Sequence, residues 1–420
     1  MERGYKSEAE GAEAKGNDKI LEGTGAPETS MPRALSSRLS YLAASPMKII
    51  DSLLGPAGAD VIRLHAGEPS LPPPLELVDS LIDDLRRPES YAYAPTRGLP
   101  ELREAVAEEL KRDGTKVSFD EVAITPSGTA AIFSAMSVLL DPGDEVILID
   151  PTFMIYRPVI EYLGGRVRWV RASPERGFQP DPDAVAAAIS DRTKAIVLVD
   201  PDNPTGRLLD PGIGKAMAEL AQDKGVYLVV DEAYRRIVYE GSYRSVQPHA
   251  PDSVIGLGTF SKDPGVPGLR LGYIYGPRDF IDAYASFSGH AFFGASNMSQ
   301  LYVLRYLRWE GREKFIESVV AEYRRRRDAA VKAMRRYAPS ARFTEPQASM
   351  YLYADLSPLV NDAESFASRL ASRHRVTVMP GTAFGPADRT FIRVTFVSQP
   401  PERLEEGIRR IGEALGEAGQ

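Results

Sequence analysis

Short, almost wholly apolar runs alternate with helical stretches through the middle of this sequence, and this alternation limits the possible folds. The apolar runs are DEVILID (144–150), KAIVLVD (194–200), VYLVVDEAY (226–234), SVIGLGTFS (253–261) and LGYIYG (271–276). Stretches between them, such as 181–192 and 214–225, have the apolar period of a helix. Strands that are apolar throughout and separated by helices form mostly parallel sheets covered on both faces. The sequence therefore predicts an α/β fold whose large domain contains such a sheet.

The pattern changes near residue 310, which predicts a second, smaller α+β domain. A long charged helix (313–338) is followed there by the strand-like segments 350–356 and 391–397. At the other end, the first 35 residues are rich in Glu, Gly, Lys and Ala and have too few large apolar side chains to offset the entropy of ordering. The predicted organisation is a disordered N-terminal extension (1–35), an N-terminal arm that joins the small domain (36–75), a large domain (76–310) and a small C-terminal domain (311–420).

Composition argues against several classes of function. The 420 residues include no cysteine, and the four histidines show no metal-ligand spacing, so we expect no metal centre. The formal net charge of −7 argues against nucleic acid as a partner, because phosphate binding needs a basic surface. No run approaches the roughly 18 apolar residues of a membrane span, and the N-terminus lacks a signal-peptide pattern. We therefore expect a cytoplasmic protein that acts on small molecules and does not bind membranes.

Polar side chains stand at the carboxyl ends of the predicted strands, where ligands bind in such sheets. Lys262 follows one apolar run and has a second cation, Arg270, nearby in sequence. A lysine in that setting can act as a free amine nucleophile, although a lone lysine more often packs its stem and extends its ammonium into water. Asp231 ends another run, where a buried carboxylate needs a cation or a strong donor. The alternative for Asp231 is a helix cap.

Two further segments next to predicted strands carry polar groups that can face a ligand. Asn203 follows a strand and precedes a proline, which favours an extended backbone and a fixed amide. Ser127, Gly128 and Thr129 directly precede a helical run, where free backbone N–H groups and two hydroxyls can bind phosphate. The respective alternatives are a plain turn and an ordinary capped helix.

Four other side chains have both a structural and a functional interpretation. Arg393 lies among apolar residues of a strand, so it forms either an internal salt bridge or a two-bond clamp on a substrate carboxylate. Tyr234 is either a core aromatic or a hydroxyl on the same side of a turn as Asp231. Phe153 and Tyr156 are either core residues or, in one case, a ring that lies flat against a planar ligand.

Taken together and in order, these motifs resemble those of the pyridoxal-phosphate-dependent aminotransferases of fold type I, class I/II. The motifs are SGT (127–129), NPTG (203–206), DEAY (231–234), SKxxxxPGxRxG (261–272) and a late RV strand (393–394). Each is weak alone, but their order is specific, and the similarity extends over residues 40 to 415. The resemblance implies a pyridoxal 5′-phosphate cofactor and transfer of an amino group between an L-amino acid and a 2-oxo acid.

The resemblance also implies a role for each site residue. The lysine at the position of Lys262 forms a Schiff base with the cofactor in this family and later carries a proton between substrate and cofactor. By this resemblance, Asp231 is expected to keep the pyridine nitrogen protonated, and Phe153 is expected to stack on the ring. Tyr234 and Asn203 match the pair that hydrogen-bonds the ring hydroxyl oxygen in the family. The implied phosphate site consists of Ser127, Gly128, Thr129, Thr259, Arg270 and, from a second subunit, Tyr93. The implied α-carboxylate site consists of Gly67, Asn203 and Arg393. A site built from two chains implies a homodimer.

Two other functions are compatible with the same motifs. The stretch SKDPGVPGLRLG is also similar to that of aminocyclopropane-carboxylate synthases and capreomycidine synthase-like enzymes, so a pyridoxal-phosphate-dependent lyase or cyclase, including a C–S lyase, is one alternative. A non-catalytic aminotransferase-like regulatory domain is the other, although the residues before the match are too few and too acidic for a DNA-binding domain. Segment 286–300 lacks the arginine of dicarboxylate-specific members. Its neutral aromatic residues suit an apolar or aromatic substrate side chain.

Overall fold

The computed structural model describes residues 35–42 and 60–418, so the predicted extension (1–35), apart from its last residue, and part of the predicted arm (36–75) lie outside the described residues. The strands are β1 (Ile62–Arg63), β2 (Val122–Thr125), β3 (Glu145–Asp150), β4 (Arg166–Arg171), β5 (Thr193–Val199), β6 (Tyr227–Asp231), β7 (Val254–Thr259), β8 (Gly272–Tyr275), β9 (Arg342–Phe343), β10 (Tyr351–Asp355), β11 (Val376–Thr377), β12 (Met379–Pro380) and β13 (Phe391–Thr395). The helices are α1 (Glu76–Leu85), α2 (Pro100–Lys111), α3 (Gly128–Leu139), α4 (Tyr156–Tyr162), α5 (Pro182–Ala188), α6 (Pro211–Lys224), α7 (Arg278–Ala291), α8 (Asn297–Arg308), α9 (Arg312–Tyr337), α10 (Ala363–His374) and α11 (Pro401–Ala418). None of these described helices is long and apolar enough to cross a membrane.

The central element is a seven-stranded sheet with the strand order β2-β8-β7-β6-β5-β3-β4. Strands β3 to β7 pair in parallel, whereas β8 runs antiparallel to both of its neighbours, β7 and β2. Apolar side chains of α3, α4 and α7 pack on one face, and those of α5 and α6 pack on the other. The prediction of a mostly parallel sheet covered on both faces is confirmed.

Two strands of this sheet have no counterpart among the predicted apolar runs. β4 lies at the edge of the sheet and reads RVRWVR, with Arg166 and Arg168 exposed. β2 has only four residues, although all of them are buried. A search for continuous apolar runs misses β4, because an edge strand carries polar side chains. β2 forms the other edge of the sheet, and its four buried residues are not among the predicted runs.

A second sheet occupies the C-terminal third of the described chain. Its order is β12-β13-β10-β9, its pairings are antiparallel, and apolar side chains of α9 and α11 pack against it. β1 pairs in parallel with β11, with Ile62 opposite Val376. Residues that precede the large sheet therefore pair with a strand of the C-terminal part of the chain. The arm and the domain boundaries stay predictions.

Candidate active site

A cavity of about 400 Å³ lies at the carboxyl ends of β5, β6 and β7, within the size range of small-molecule sites. Eleven of the thirteen predicted site residues line it, namely Gly67, Gly128, Thr129, Phe153, Asn203, Asp231, Tyr234, Thr259, Lys262, Arg270 and Arg393. The other two, Ser127 and Tyr93, do not line it. Most of the lining lies on the large sheet or in the loops and the helix start that adjoin its carboxyl edge, and β13 of the second sheet supplies Arg393.

Lys262 extends into this cavity from the end of β7. Its Nζ donates a hydrogen bond to the carbonyl oxygen of Gly67 at 2.6 Å and lies 5.8 Å from the ring centroid of Tyr234. Within residues 60–418, no carboxylate oxygen lies within 4.0 Å of this amine. The side chain is half-buried in a cavity, so it does not have the extended, fully solvated position of an ordinary surface lysine.

Asp231 ends β6 and is buried beneath the same cavity. Its Oδ1 accepts a hydrogen bond from the backbone N–H of Ala233 at 3.1 Å, which is a turn contact. No helix directly follows β6, so the alternative of a helix cap is wrong. Its Oδ2 accepts a hydrogen bond from the hydroxyl of Tyr156, also at 3.1 Å. Burial raises the pKa of Asp231 to about 6, because desolvation disfavours the charged form more than these donors favour it.

Arg393 is 3% exposed and has no carboxylate partner in the described part of the chain. It donates from Nη1 to Asn203 Oδ1 at 2.7 Å and from Nη2 to the carbonyl oxygen of His65 at 2.6 Å. Its Nε is buried and has no hydrogen-bond partner among the described residues. Its guanidinium stacks on Tyr351, 4.1 Å from the ring centroid. The internal salt bridge considered for Arg393 is therefore not formed, and desolvation lowers the pKa of this guanidinium.

Asn203 and Tyr234, which share one predicted cofactor atom, lie next to each other although they are separated by 31 positions. Because Asn203 Oδ1 accepts from a guanidinium, its Nδ2 is directed as a donor towards the Tyr234 hydroxyl, at 3.5 Å. The Tyr234 hydroxyl also lies 2.8 Å from that of Tyr351, a residue for which the sequence indicated only a strand position.

Gly67 is required by the close approach of Tyr351. A Cβ atom at position 67 would lie 2.0 Å from the Tyr351 hydroxyl oxygen, far inside van der Waals contact. The absence of a side chain thus lets the backbone carbonyl of Gly67 reach Lys262 while Tyr351 stacks on Arg393.

Three residues of the predicted phosphate site, Ser127, Gly128 and Thr129, lie at the start of α3. Ser127 Oγ accepts from the N–H of Ala130 at 3.0 Å, so Ser127 caps the helix rather than lining the cavity. The first backbone N–H groups of α3, at Gly128 and Thr129, have no partner within the helix, as is general for helix starts. Both interpretations of this segment, a capped helix and an anion site, are compatible with this geometry.

Two further members of the predicted phosphate site, Thr259 and Arg270, line the same cavity. A Cβ atom at Gly128 would lie 2.9 Å from Thr259 Cβ, so the start of α3 and the end of β7 are in close contact. Arg270 has a left-handed backbone, with φ of 48°, and donates to the carbonyl oxygen of Pro267 at 3.0 Å.

Tyr93 lies outside the cavity, 86% exposed, with its ring centroid 5.8 Å from that of Phe293. Its implied contribution is to a second subunit, so this position within one chain neither supports nor opposes that role. Phe153 is half-buried and lines the cavity from the loop after β3.

Comparison with known proteins identifies similar chains. Residues 59–411 match the family model of aminotransferase class I and II. Over 391 residues the chain is 34% identical to an aspartate/prephenate aminotransferase of Thermus thermophilus, covering 92% of this chain and 100% of that protein. Over 368 residues it is 32% identical to an arginine–pyruvate transaminase of Pseudomonas aeruginosa, covering 86% of this chain and 92% of that protein. The solved structure of the Thermus thermophilus aspartate aminotransferase with maleate matches with a TM-score of 0.86 and 33% identity, over 91% of this chain and 100% of that chain.

Proposed function

The chain belongs to the class I and II aminotransferases, and on that premise we propose a role for each residue of its cavity and a class of substrate. It is a pyridoxal-phosphate-dependent transaminase, which transfers an amino group between an amino acid and a 2-oxo acid. The similar proteins are named as aminotransferases, which favours transamination over the lyase or cyclase and over the non-catalytic regulatory domain.

Three charged groups that share the cavity without ionic partners carry this assignment. Among the described residues, Lys262 and Arg393 donate to neutral oxygens and form no salt bridge, and Asp231 accepts only from neutral donors. Buried charges without partners are costly unless a ligand completes them. An aldehyde for Lys262, a pyridine nitrogen for Asp231 and an anionic carboxylate for Arg393 would complete all three, so the site fits pyridoxal phosphate with an amino acid.

The residues act together on that cofactor and its substrate. When bound, pyridoxal phosphate accepts the electron pair left at the substrate Cα as its proton departs. Lys262 would hold the cofactor covalently and, when its amine is free, would accept that proton. Asp231 would hold a positive charge at the pyridine nitrogen, and Phe153 would pack against the ring. Tyr234 and Asn203 would donate to the ring hydroxyl oxygen, lowering the proton affinity of the bound lysine nitrogen.

The remaining predicted residues would hold the two anionic groups. The start of α3 (Ser127, Gly128 and Thr129), with Thr259 and Arg270, would bind the phosphate through backbone N–H groups, hydroxyls and a cation. Arg393 would bind the substrate α-carboxylate with two parallel hydrogen bonds, next to Gly67 and Asn203.

The cations of the cavity favour an amino acid with a neutral apolar or aromatic side chain. In the described chain the cavity has three cations, Lys262, Arg270 and Arg393, and each already has a role. No further cation of the cavity is left to bind a carboxylate on the substrate side chain. Segment 286–300 contains no lysine or arginine. The remaining lining is mostly apolar, including Ile132, Met154, Ile155 and Pro267.

A comparison of the transamination rates of phenylalanine and leucine with those of aspartate and glutamate tests this substrate class. With one common 2-oxo acid, we expect kcat/KM for phenylalanine or leucine to exceed that for aspartate by about tenfold or more, because a buried carboxylate without a partner costs several kcal/mol. The four rates are measured on one enzyme preparation, with alanine as a small neutral control. A higher kcat/KM for aspartate than for every neutral amino acid would show that a cation from elsewhere completes the site, and that the substrate class is wrong.

A homodimer located in the cytoplasm is part of the proposal. Tyr91, Tyr93 and Phe293 are large aromatic side chains that are 66%, 86% and 65% exposed, and such exposed apolar groups favour an interface. A second copy on this surface would bring Tyr93 to the phosphate site of its partner, as the family resemblance implies.

A further inference from the structure

Tyr156 donates the one side-chain hydrogen bond that Asp231 receives within the described chain. The hydroxyl lies 3.1 Å from Asp231 Oδ2, and the two residues are 75 positions apart. Tyr156 is fully buried and Asp231 is 7% exposed, so water does not compete freely for this bond. A buried tyrosine hydroxyl usually finds a partner, but here the partner is the carboxylate that faces the proposed cofactor site.

Packing in the hydrophobic core holds Tyr156 in place independently of Asp231. Tyr156 is the first residue of α4 and belongs to the same buried cluster as Ile160 and Ala131. The loop between β3 and α4 carries Phe153, three residues earlier, into the cavity. One short segment therefore presents a ring to the cavity and a hydroxyl to the carboxylate beneath it.

The donor and acceptor roles in this bond are fixed. Burial and the neighbouring Asp231 charge hold the pKa of the Tyr156 hydroxyl well above its ordinary value, so the phenol keeps its proton and donates. The other groups that act on Asp231 are the carboxylate of Asp202, which raises its pKa, and the amine of Lys262, which lowers it. Tyr234 is also nearby, with its own pKa held high mainly by burial.

We propose that Tyr156 is a positioning residue for the cofactor site, whose hydroxyl fixes the orientation of the Asp231 carboxylate and keeps it ionised so that it can hold a proton at the pyridine nitrogen. A donor to a carboxylate stabilises its charged form. An ionised Asp231 stabilises a protonated ring nitrogen, and a protonated ring accepts electrons better than a neutral one. This inference rests on the role proposed for Asp231.

Tyr156→Phe tests the inference, because it removes only the hydroxyl and keeps the packed ring. The first measurement is the titration of the Asp231 carboxyl in cofactor-free protein, by ¹³C NMR of aspartate-labelled samples, with the resonance assigned by its absence in Asp231→Asn. In the wild type the carboxyl should gain a proton as the pH falls through about 6. Loss of the donor should move this midpoint upward by about one pH unit, which is a tenfold change in proton affinity.

The second measurement is the dissociation constant of pyridoxal phosphate between pH 5 and 8 at equilibrium. Affinity should decline on the acid side as Asp231 becomes protonated, and in Tyr156→Phe this decline should begin at higher pH. The titration of the cofactor itself is common to all variants and cancels in the comparison. At neutral pH we expect the variant to bind the cofactor several-fold more weakly than the wild type.

Tyr284→Phe is the matched control. Tyr284 is also fully buried in the same core and donates its hydroxyl hydrogen bond to the carbonyl oxygen of Ile124 at 3.0 Å. It should lose a comparable amount of thermal stability with no displacement of the Asp231 titration. The inference would be overturned if the midpoint of the Asp231 titration moved equally in both variants, or if it kept its wild-type value in Tyr156→Phe. Asp231→Asn with the wild-type pH profile of cofactor affinity would instead overturn the role of Asp231 itself.

Discussion

Lys262→Ala is expected to lower kcat by at least about 10⁴-fold, because proton transfer by a positioned side chain alone contributes roughly 10²- to 10⁴-fold and covalent attachment adds to that. In the described part of the chain, the amine of Lys262 extends into the cavity and donates its one hydrogen bond to the carbonyl oxygen of Gly67. The cofactor should also be lost on gel filtration, since its covalent link is absent. Steady-state transaminase rates and cofactor absorbance after gel filtration measure the two effects.

Lys224→Ala is the control for this substitution. Lys224 lies at the exposed C-terminal end of α6 and takes no part in the cavity, so activity and cofactor content should stay at wild-type values. Borohydride reduction followed by peptide mass spectrometry adds a direct test. A cofactor label that persists in Lys262→Ala, on another lysine, would contradict the assignment.

Arg393→Lys is expected to lower kcat/KM for the amino acid by about 10²-fold or more, because loss of one partner from a buried, hydrogen-bonded charge pair costs about 2–5 kcal/mol. Lysine keeps the charge but lacks the planar pair of donors that matches a carboxylate. The lost bond to Asn203 should also loosen the amide that faces Tyr234. Kinetics with the best amino acid of the substrate panel measure this effect, and equilibrium binding measures the smaller loss of cofactor affinity that a looser Asn203 amide should cause.

Arg327→Lys provides a buried arginine for comparison. Arg327 lies on α9 and donates to the carbonyl oxygen of Pro346 at 2.8 Å, away from the cavity. Its substitution should lower thermal stability and leave KM unchanged. A wild-type KM in Arg393→Lys, or equal KM changes in both variants, would show that Arg393 does not bind the substrate carboxylate.

The central sheet is predictable from the sequence because burial on both faces leaves its inner strands as continuous apolar runs. The carboxyl ends of those runs also locate the cavity, since Asn203, Asp231 and Lys262 each follow or end one of them. The edge strand β4 is not found in this way, because its exposed arginines interrupt the apolar run. The buried inner strands are therefore easier to predict from the sequence than the edge strand β4.

The contacts that tune the site are harder to predict, since they join residues far apart in sequence. Tyr351 lies 117 positions from Tyr234, and its sequence surroundings indicate only a strand. Tyr156 reads as a core aromatic, and its bond to Asp231 depends on how α4 packs against the sheet. Local patterns identify each of these residues as buried, but only the packed structure identifies its partner.

The visible absorption of the cofactor in the wild-type enzyme, after addition of one good L-amino acid substrate without any 2-oxo acid, tests transamination at this site most directly. We expect the aldehyde form to convert to the amine form, with about one equivalent of 2-oxo acid released per site, no ammonia, and full reversal on addition of a 2-oxo acid. Continued release of ammonia while the aldehyde form persists would contradict this account and would indicate a lyase.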